Sequence, residues 1–268
     1  MKTFLVPVDF SDVSKNAADY AAKLVANIPD AKIILYNVYE KVSHAGDEQS
    51  SRKTVAEKEL SDLKASLPVS GNVTVSTVAE EGSFIHNIEK FVAGNSVDLI
   101  VMGMTGSSRL KQVFMGTTAL NVIRHVNTPA MIIPPDGKFN GLRNVVFTSD
   151  FKDVMNTTPF ASLRAILNLF NPMLHIVNVD AEHYIELTEE YKKERAKVDG
   201  QLGDYSHEFY FLRTYDFLDG IDMFVQTKSI DAIITVPHKH NFLSQLFVTT
   251  HTKKLAYHSH IPIIAIHM

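Results

Sequence analysis

The chain is written twice, and that duplication constrains its fold more than any local pattern does. VPVDFSDV at 6–13 matches VFTSDFKDV at 146–154, which sets Asp9 on Asp150 at an offset of 141. LYNV at 35–38 matches IVNV at 176–179 at the same offset. Further along, DLIVMG at 98–103 falls on DAIITV at 231–236, and TPAMII at 128–133 on IPIIAI at 261–266, both offset by 133. The shift from 141 to 133 places a length difference in the helix-and-loop region between these blocks. A copy of about 130 residues is far too long for a solenoid unit. The reading is therefore two similar domains in tandem, 1–135 and 142–268, parted at the Pro134-Pro135-Asp136-Gly137 turn.

Within the first copy, apolar β-rich runs (TFLVPVD, AKIILYNV, VTVSTVA, VDLIVMG, PAMIIP) alternate with longer segments of helical periodicity. That alternation predicts a parallel α/β sheet. Ala18, Ala21, Ala22 and Val25 recur at the spacing that turns one helix face toward a sheet. Continuous apolar strands such as DLIVMG suit a sheet covered on both faces. The second copy repeats the order, with a charged helix around ELTEEYKKERAKV and a last helix from about Thr249 to His258.

Composition narrows the function classes. At 268 residues with 45% hydrophobic content, the chain is long enough for two cored domains. A net charge of −4 supplies no basic field for nucleic acid. The absence of Cys removes disulfides, thiolate metal sites and thiol catalysis. The first apolar run ends at Asp9, too short for a signal peptide, and no stretch of about 20 apolar residues offers a membrane span, so the expected location is cytoplasmic.

The segment GMTGSSRLKQVFMGTTALNVIRH, 103–125, runs from a strand end to a helix start. At the carboxyl edge of a parallel sheet, a helix N-terminus offers free N–H donors and partial positive charge suited to phosphate. Gly103, Gly106 and Gly116 would let the backbone approach an anion or take positive φ, while Thr117 and Thr118 add hydroxyls and cap the helix. Asp9, between a strand and a helix, has a rival reading as a turn-forming cap. Met102 and Met104 read as packing and loop residues, and Ser107, Ser108, Arg109 and Lys111 as solvated loop groups, with contact to the phosphates as their alternative.

The spacing Gly103-x2-Gly106-x9-Gly116-Thr117, between DLIVMG and NVIRHVNTPAMIIP, resembles the ATP-binding signature of the universal stress protein family. VPVDFSDVSKNA and the EGSFIHNIEKFVAGNSVDLIVMG block extend the likeness, and tandem members are a known form of that family. The resemblance implies a doubly wound five-stranded parallel sheet flanked by helices in each domain. It implies ATP, with Mg²⁺, held by adenine and ribose contacts at Pro7, Val8, Asp9 and Val38. Phosphate contacts would fall on Gly103, Gly106, Gly116, Thr117 and Thr118. It also implies pairing of the two domains through their last strands within one chain, with a homodimer open.

The second copy has Val236, Lys239 and Thr249 where the three glycines stand, and Pro237 restricts the loop further. ATP is thereby withdrawn from it. Its histidines His238, His240 and His251 form a geometrically open trio, but no carboxylate recurs beside them and no metal site is assigned. His251 and His258 lie roughly 12 Å apart along a helix and cannot share an ion. Thr249 and Thr250 with Lys239 would suit a smaller anion. EEYKKERAK at 189–197 reads as a solvated helix face pairing Glu190 and Glu194 with Lys193 or Lys197, and Phe209, Tyr210, Phe211, Tyr215 and Phe217 as core packing. No P-loop, dinucleotide glycine turn or Ser-Gly-Gly-x-Asp motif occurs. The expected function is a nucleotide-binding stress-response or signalling protein with ATP in the first domain only. A slow ATP hydrolase and a ligand-free interaction scaffold with an unknown protein partner are the alternatives.

Overall fold

The computed structural model describes residues 1–40, 46–69, 71–104, 116–179, 188–214, 217–237 and 261–268. They form two compact units, Met1–Phe139 and Asn140–Met268. In the first, strands β1 (Lys2–Pro7), β2 (Ala31–Tyr39), β3 (Thr74–Glu81), β4 (Leu99–Gly103) and β5 (Ala130–Ile133) alternate with helices α1 (Asp12–Leu24), α2 (Gly46–Ser66), α3 (Phe84–Gly94) and α4 (Thr117–His125). All strand pairs are parallel and the order is β3-β2-β1-β4-β5. The chain winds outward from β1 to β3, then crosses back to β4. This leaves a crevice beyond the carboxyl ends of β1 and β4, where open α/β sheets receive ligands.

The second unit has β6 (Asn144–Thr148), α5 (Val154–Thr157), α6 (Phe160–Phe170), β7 (Met173–Val179), α7 (Glu189–Leu202), β8 (His207–Leu212), α8 (Phe217–Lys228), β9 (Ala232–Thr235) and β10 (Ile263–Ala265). Its parallel order, β8-β7-β6-β9-β10, repeats the first. Among the described residues each copy is thus the doubly wound five-stranded sheet expected from the alternation. The sequence repeat is a structural one down to register: Phe4 pairs with Leu99 as Val145 pairs with Ala232. Even backbone exceptions recur. Phe10 and Phe151 both take positive φ, 65° and 49°, and so do Asp30 and Asn171, at 54° and 47°. The second copy's last helix and Tyr215 lie outside the described residues.

Two local differences separate the copies. Helix α1 starts on Ser11, whose hydroxyl accepts from the Ser14 N–H, and buries Ala17, Ala18, Ala21 and Ala22 without a break. In the second copy Pro159 stands where Ala18 does. A proline lacks the N–H a helix interior needs and drives the preceding residue to extended backbone. Thr158 is accordingly extended, at φ −111° and ψ 120°, and α1's counterpart is split into α5 and α6.

The second difference concerns α7, where the expectation of a purely solvated charged face is corrected. Glu189 pairs with Lys192 at 2.8 Å in the open, but Glu194 is buried. Its Oε2 accepts from the Val154 N–H at 2.8 Å, and Lys197 pairs with its other oxygen. Glu194 therefore supplies the negative cap that α5 needs, an exchange of solvent for a helix terminus that charge spacing does not reveal. The bond from Lys197, reinforced by the Val154 N–H, holds its carboxyl below the usual range. The aromatic residues divide between the two faces of β8. Phe209 and Phe211 meet Phe151 at 5.9 Å, and Tyr210 meets Phe224 at 4.8 Å.

His175 sits on β7 in the register position that Ile34 holds on β2. It is 5% exposed, between the rings of Tyr210 and Phe224. Nε2 lies 3.3 Å from Asn144 Oδ1, and Nδ1 has no hydrogen-bond partner. Burial lowers its pKa from 6.5, Glu208 opposing and Lys228 assisting. Folding therefore favours the neutral ring, so this contribution is whole above about pH 6.5 and is lost as pH falls toward the depressed value. Urea unfolding of His175→Ile against the parent protein should give parallel stabilities above pH 7. Below about 6.5 the parent should fall away by up to about 1.4 kcal/mol per pH unit.

Candidate functional site

A cavity of about 350 Å³ opens beyond the carboxyl ends of β1, β2 and β4 in the first unit. Three helix N-termini converge on it: α1 through Ser11, Val13 and Ser14, α3 through Ser83, Phe84 and Ile85, and α4 through Thr118 and Asn121. Pro7, Val8, Val38, Met102 and Gly103 supply the strand ends. The walls are thus largely apolar, and the rim carries hydroxyls, amides and helix-terminal N–H groups.

Buried Asn37 braces the floor, its Nδ2 donating to the Val8 carbonyl at 2.8 Å. Asn178 does the same to Ser149 at 2.9 Å in the second unit, so this brace belongs to the duplicated framework. Asp9 forms the turn its sequence position allowed and also lines the cavity. Its Oδ1 accepts from the Ser11 N–H at 3.1 Å and the Ser11 hydroxyl at 2.6 Å, forming the turn that carries Phe10 to positive φ. Burial opposes the charge, but the hydrogen bonds from Ser11 and Ser14 outweigh it and hold the carboxyl below its ordinary 3.8. The exposed carboxylate on the cavity is therefore ionised at neutral pH, a hydrogen-bond acceptor only.

The glycines have different explanations from one another. Neither Gly103 nor Gly116 takes positive φ, so the conformational reading of these two is corrected. Gly103 is required by a close approach. A Cβ built on it would lie 2.6 Å from Val13 Cγ1 and 2.7 Å from the Val13 carbonyl oxygen, where the first turn of α1 crosses the end of β4. Gly116 caps α4 at φ −61° and ψ 151°, backbone that any residue adopts. On α4, Thr118 and Asn121 line the cavity one turn apart, as the i, i+3 relation requires, while Thr117 does not. Met104 is core, and Met102 is at once buried and part of the cavity wall. Gly106, Ser107, Ser108, Arg109 and Lys111 lie outside the described residues.

The structure thus brings together Pro7, Val8, Asp9, Val38, Gly103 and Thr118 from the residues singled out in the sequence. It adds Ser11, Ser14, Asn37, Ser83, Phe84, Ile85 and Asn121. Some of these had a readable signal. Ser11 and Ser83 each precede a helix in the manner of N-caps, and Asn121 follows Thr118 by one turn.

In the second unit Val236 follows β9 at the place of Gly103 and is buried. Val154, the counterpart of Val13, there follows Asp153 in left-handed backbone at φ 46°, off the path that α1 takes. His238, His240, His251, Lys239, Thr249 and Thr250 lie outside the described residues. Among the described residues no group of three His, Asp or Glu stands ready for a metal ion, and no helix is long and apolar enough to cross a membrane.

Comparison with known proteins covers the two halves unequally. The universal stress protein family matches residues 1–134. A universal stress protein of Methanocaldococcus jannaschii is 27% identical over 139 residues, 49% of this chain and 81% of that protein. In fold, a universal stress protein from Archaeoglobus fulgidus superposes with a TM-score of 0.70 at 15% identity, covering 99% of this chain and 98% of that one. A Pseudomonas aeruginosa protein of unknown function gives a TM-score of 0.60 at 13% identity over 100% of this chain and 92% of its own.

The contact at Gly103 carries a direct test. Gly103→Ala should destabilise the first unit by about 1–3 kcal/mol in urea unfolding, because besides the Val13 side chain it strikes the Val13 carbonyl, helix backbone that has no rotamer to yield. A change under about 0.5 kcal/mol would show that α1 shifts freely.

Proposed function

The chain belongs to the universal stress protein family, and from that premise we propose that it is a nucleotide-binding protein of stress response or signalling. ATP with Mg²⁺ occupies the first-unit cavity, and the second unit serves as a degenerate partner. The observation that carries this reading is the convergence of three helix N-termini on one cavity at the topological switch point.

The residues fit the ligand in kind. Val8, Val38 and Met102 offer apolar surface to a base, and the ionised Asp9 accepts hydrogen bonds from ribose hydroxyls or an amino group. The N-terminus of α4, with Thr118, favours polyanionic phosphates. Mg²⁺ neutralises phosphate charge and keeps several waters, so it needs few protein ligands.

Binding is favoured over turnover by the state of Asp9. A carboxylate held below its usual range by Ser11 is a weak general base, and it is the carboxylate that lines the described cavity. The slow-hydrolase alternative thus lacks a group to activate water among the described residues.

Titration calorimetry of the full chain with Mg-ATP should give one site per chain. Asp9→Asn keeps the turn, because an amide oxygen accepts from the Ser11 N–H, but loses the charge. It should weaken binding roughly 10- to 100-fold, the worth of hydrogen bonds to a charged group. Gly116→Val, which its backbone accommodates, should abolish binding while leaving the urea transition in place. Absence of heat with the parent protein, together with no nucleotide in the purified protein, would favour the scaffold alternative. ADP release lost in Gly116→Val would restore the hydrolase.

A further inference from the structure

The wall that α3 contributes to the cavity is held from behind by a half-buried polar relay. On the sheet face that α3 covers, the Tyr36 hydroxyl donates to Glu80 Oε2 at 2.6 Å, and the Tyr36 ring packs on Phe91 of α3 at 4.8 Å. Asn87, in the first turn of α3, donates through Nδ2 to the Glu81 carbonyl at 3.0 Å and to Glu80 Oε2 at 3.3 Å. Between them the chain turns at Gly82, φ 137°, whose N–H donates to the Tyr39 carbonyl at 3.0 Å. A Cβ at Gly82 would stand 2.8 Å from Asn87 Oδ1, so the turn and the asparagine are fitted to each other. The residues that follow are Ser83, Phe84 and Ile85, the cavity wall, and Glu80 lies beside Val38, which also lines it.

The second copy supplies an internal comparison. By strand register and helix alignment, Val177, Leu212, Thr214 and Gly220 stand where Tyr36, Glu80, Gly82 and Asn87 do. Every polar member has gone, and the small residue has changed sides. A Cβ on Gly220 would lie 2.6 Å from Thr214 Cγ2, so the junction there is closed by Thr214 against a helix glycine instead of by Asn87 against a turn glycine. The fold tolerates either solution, so a polar relay is not what the doubly wound sheet demands. It is present in the copy that has the cavity glycines and absent from the copy that lacks them.

We propose that Tyr36, Glu80 and Asn87 are positioning residues for the nucleotide cavity, pinning the turn between β3 and α3 so that Ser83, Phe84 and Ile85 meet the ligand; this rests on the nucleotide reading above. The relay is directional. Tyr36 keeps its proton, because burial and the neighbouring carboxylate both push its pKa up, so it remains the donor and Glu80 the acceptor. Glu80 thereby gathers two donors, one from β2 and one from α3, and locks strand to helix tip.

The test uses the full chain with Asn87→Ala and Tyr36→Phe, read by Mg-ATP calorimetry, amide hydrogen exchange and urea unfolding. Asn87→Ala should raise Kd about fivefold or more and speed exchange at residues 82–85, with exchange in α4 unchanged. Tyr36→Phe should move both in the same direction by a smaller factor. A loss of urea stability with unaltered Kd would mean that the relay is structural only, and would overturn the proposal. If the parent protein itself binds no Mg-ATP, the nucleotide reading fails separately. Exchange at residues 82–85 then decides, and no acceleration in Asn87→Ala would overturn the pinning too.

Discussion

The first turn of α1 lies against the end of β4 so closely that an added Cβ would meet Val13 at 2.6 Å, and the cavity edge of the first unit is built on that contact. With Gly103 bare, Val13 packs onto the strand end and α1 runs unbroken from its Ser11 cap. Ser11 and Ser14 then reach Asp9, and the helix tip becomes one wall of the cavity. In the second unit Val236 stands at the same place, and the chain opposite takes left-handed backbone at Asp153, a four-residue helix and a break at Pro159. A Cβ at the strand end would crowd the helix tip as it lies in the first unit, and in the second unit, where Val236 stands there, the helix is interrupted.

Around this contact the cavity joins apolar side chains to helix tips. Helix termini bring unpaired N–H groups, which α-helical hydrogen bonding leaves over at no expense to the rest of the fold. The Asp9 carboxylate on the cavity is stabilised in its charged form by the turn it creates. On the proposed reading, the cavity's occupant is an elongated anion with an apolar end. Its specificity resides in shape and in the placement of helix tips, and so in whatever fixes those tips.

Much of the architecture was legible because its causes are local or repeated. Hydrophobic alternation with helical segments announced the parallel sheet, and the repeat announced that the second half would copy its order, as the matched registers of β1 with β4 and β6 with β9 show. The lining residues were less so. Ser83 and Asn121 come from helix starts separated in sequence from Asp9, and nothing in a short window says that three helix tips share one crevice. Glu194 was misread because a salt-bridge spacing on a helix is the same whether that face meets water or the bare end of another helix. Gly103 was recognised as a place of close approach, but sequence distinguishes neither positive φ from such an approach nor a neighbouring helix from other things that approach.

By itself the residue order determined a duplicated α/β chain, the family to which it belongs, and the unequal chemistry of its two halves, because periodicity, repeat and glycine spacing are properties of the chain taken in sequence. Tertiary structure alone decided which groups face one another. It set Val13 over Gly103, Asn87 over Gly82, and a buried His175 where the first copy has Ile34. Those pairings join residues from different elements, and steric exclusion and desolvation act on them only once the sheet has brought them within a few ångströms.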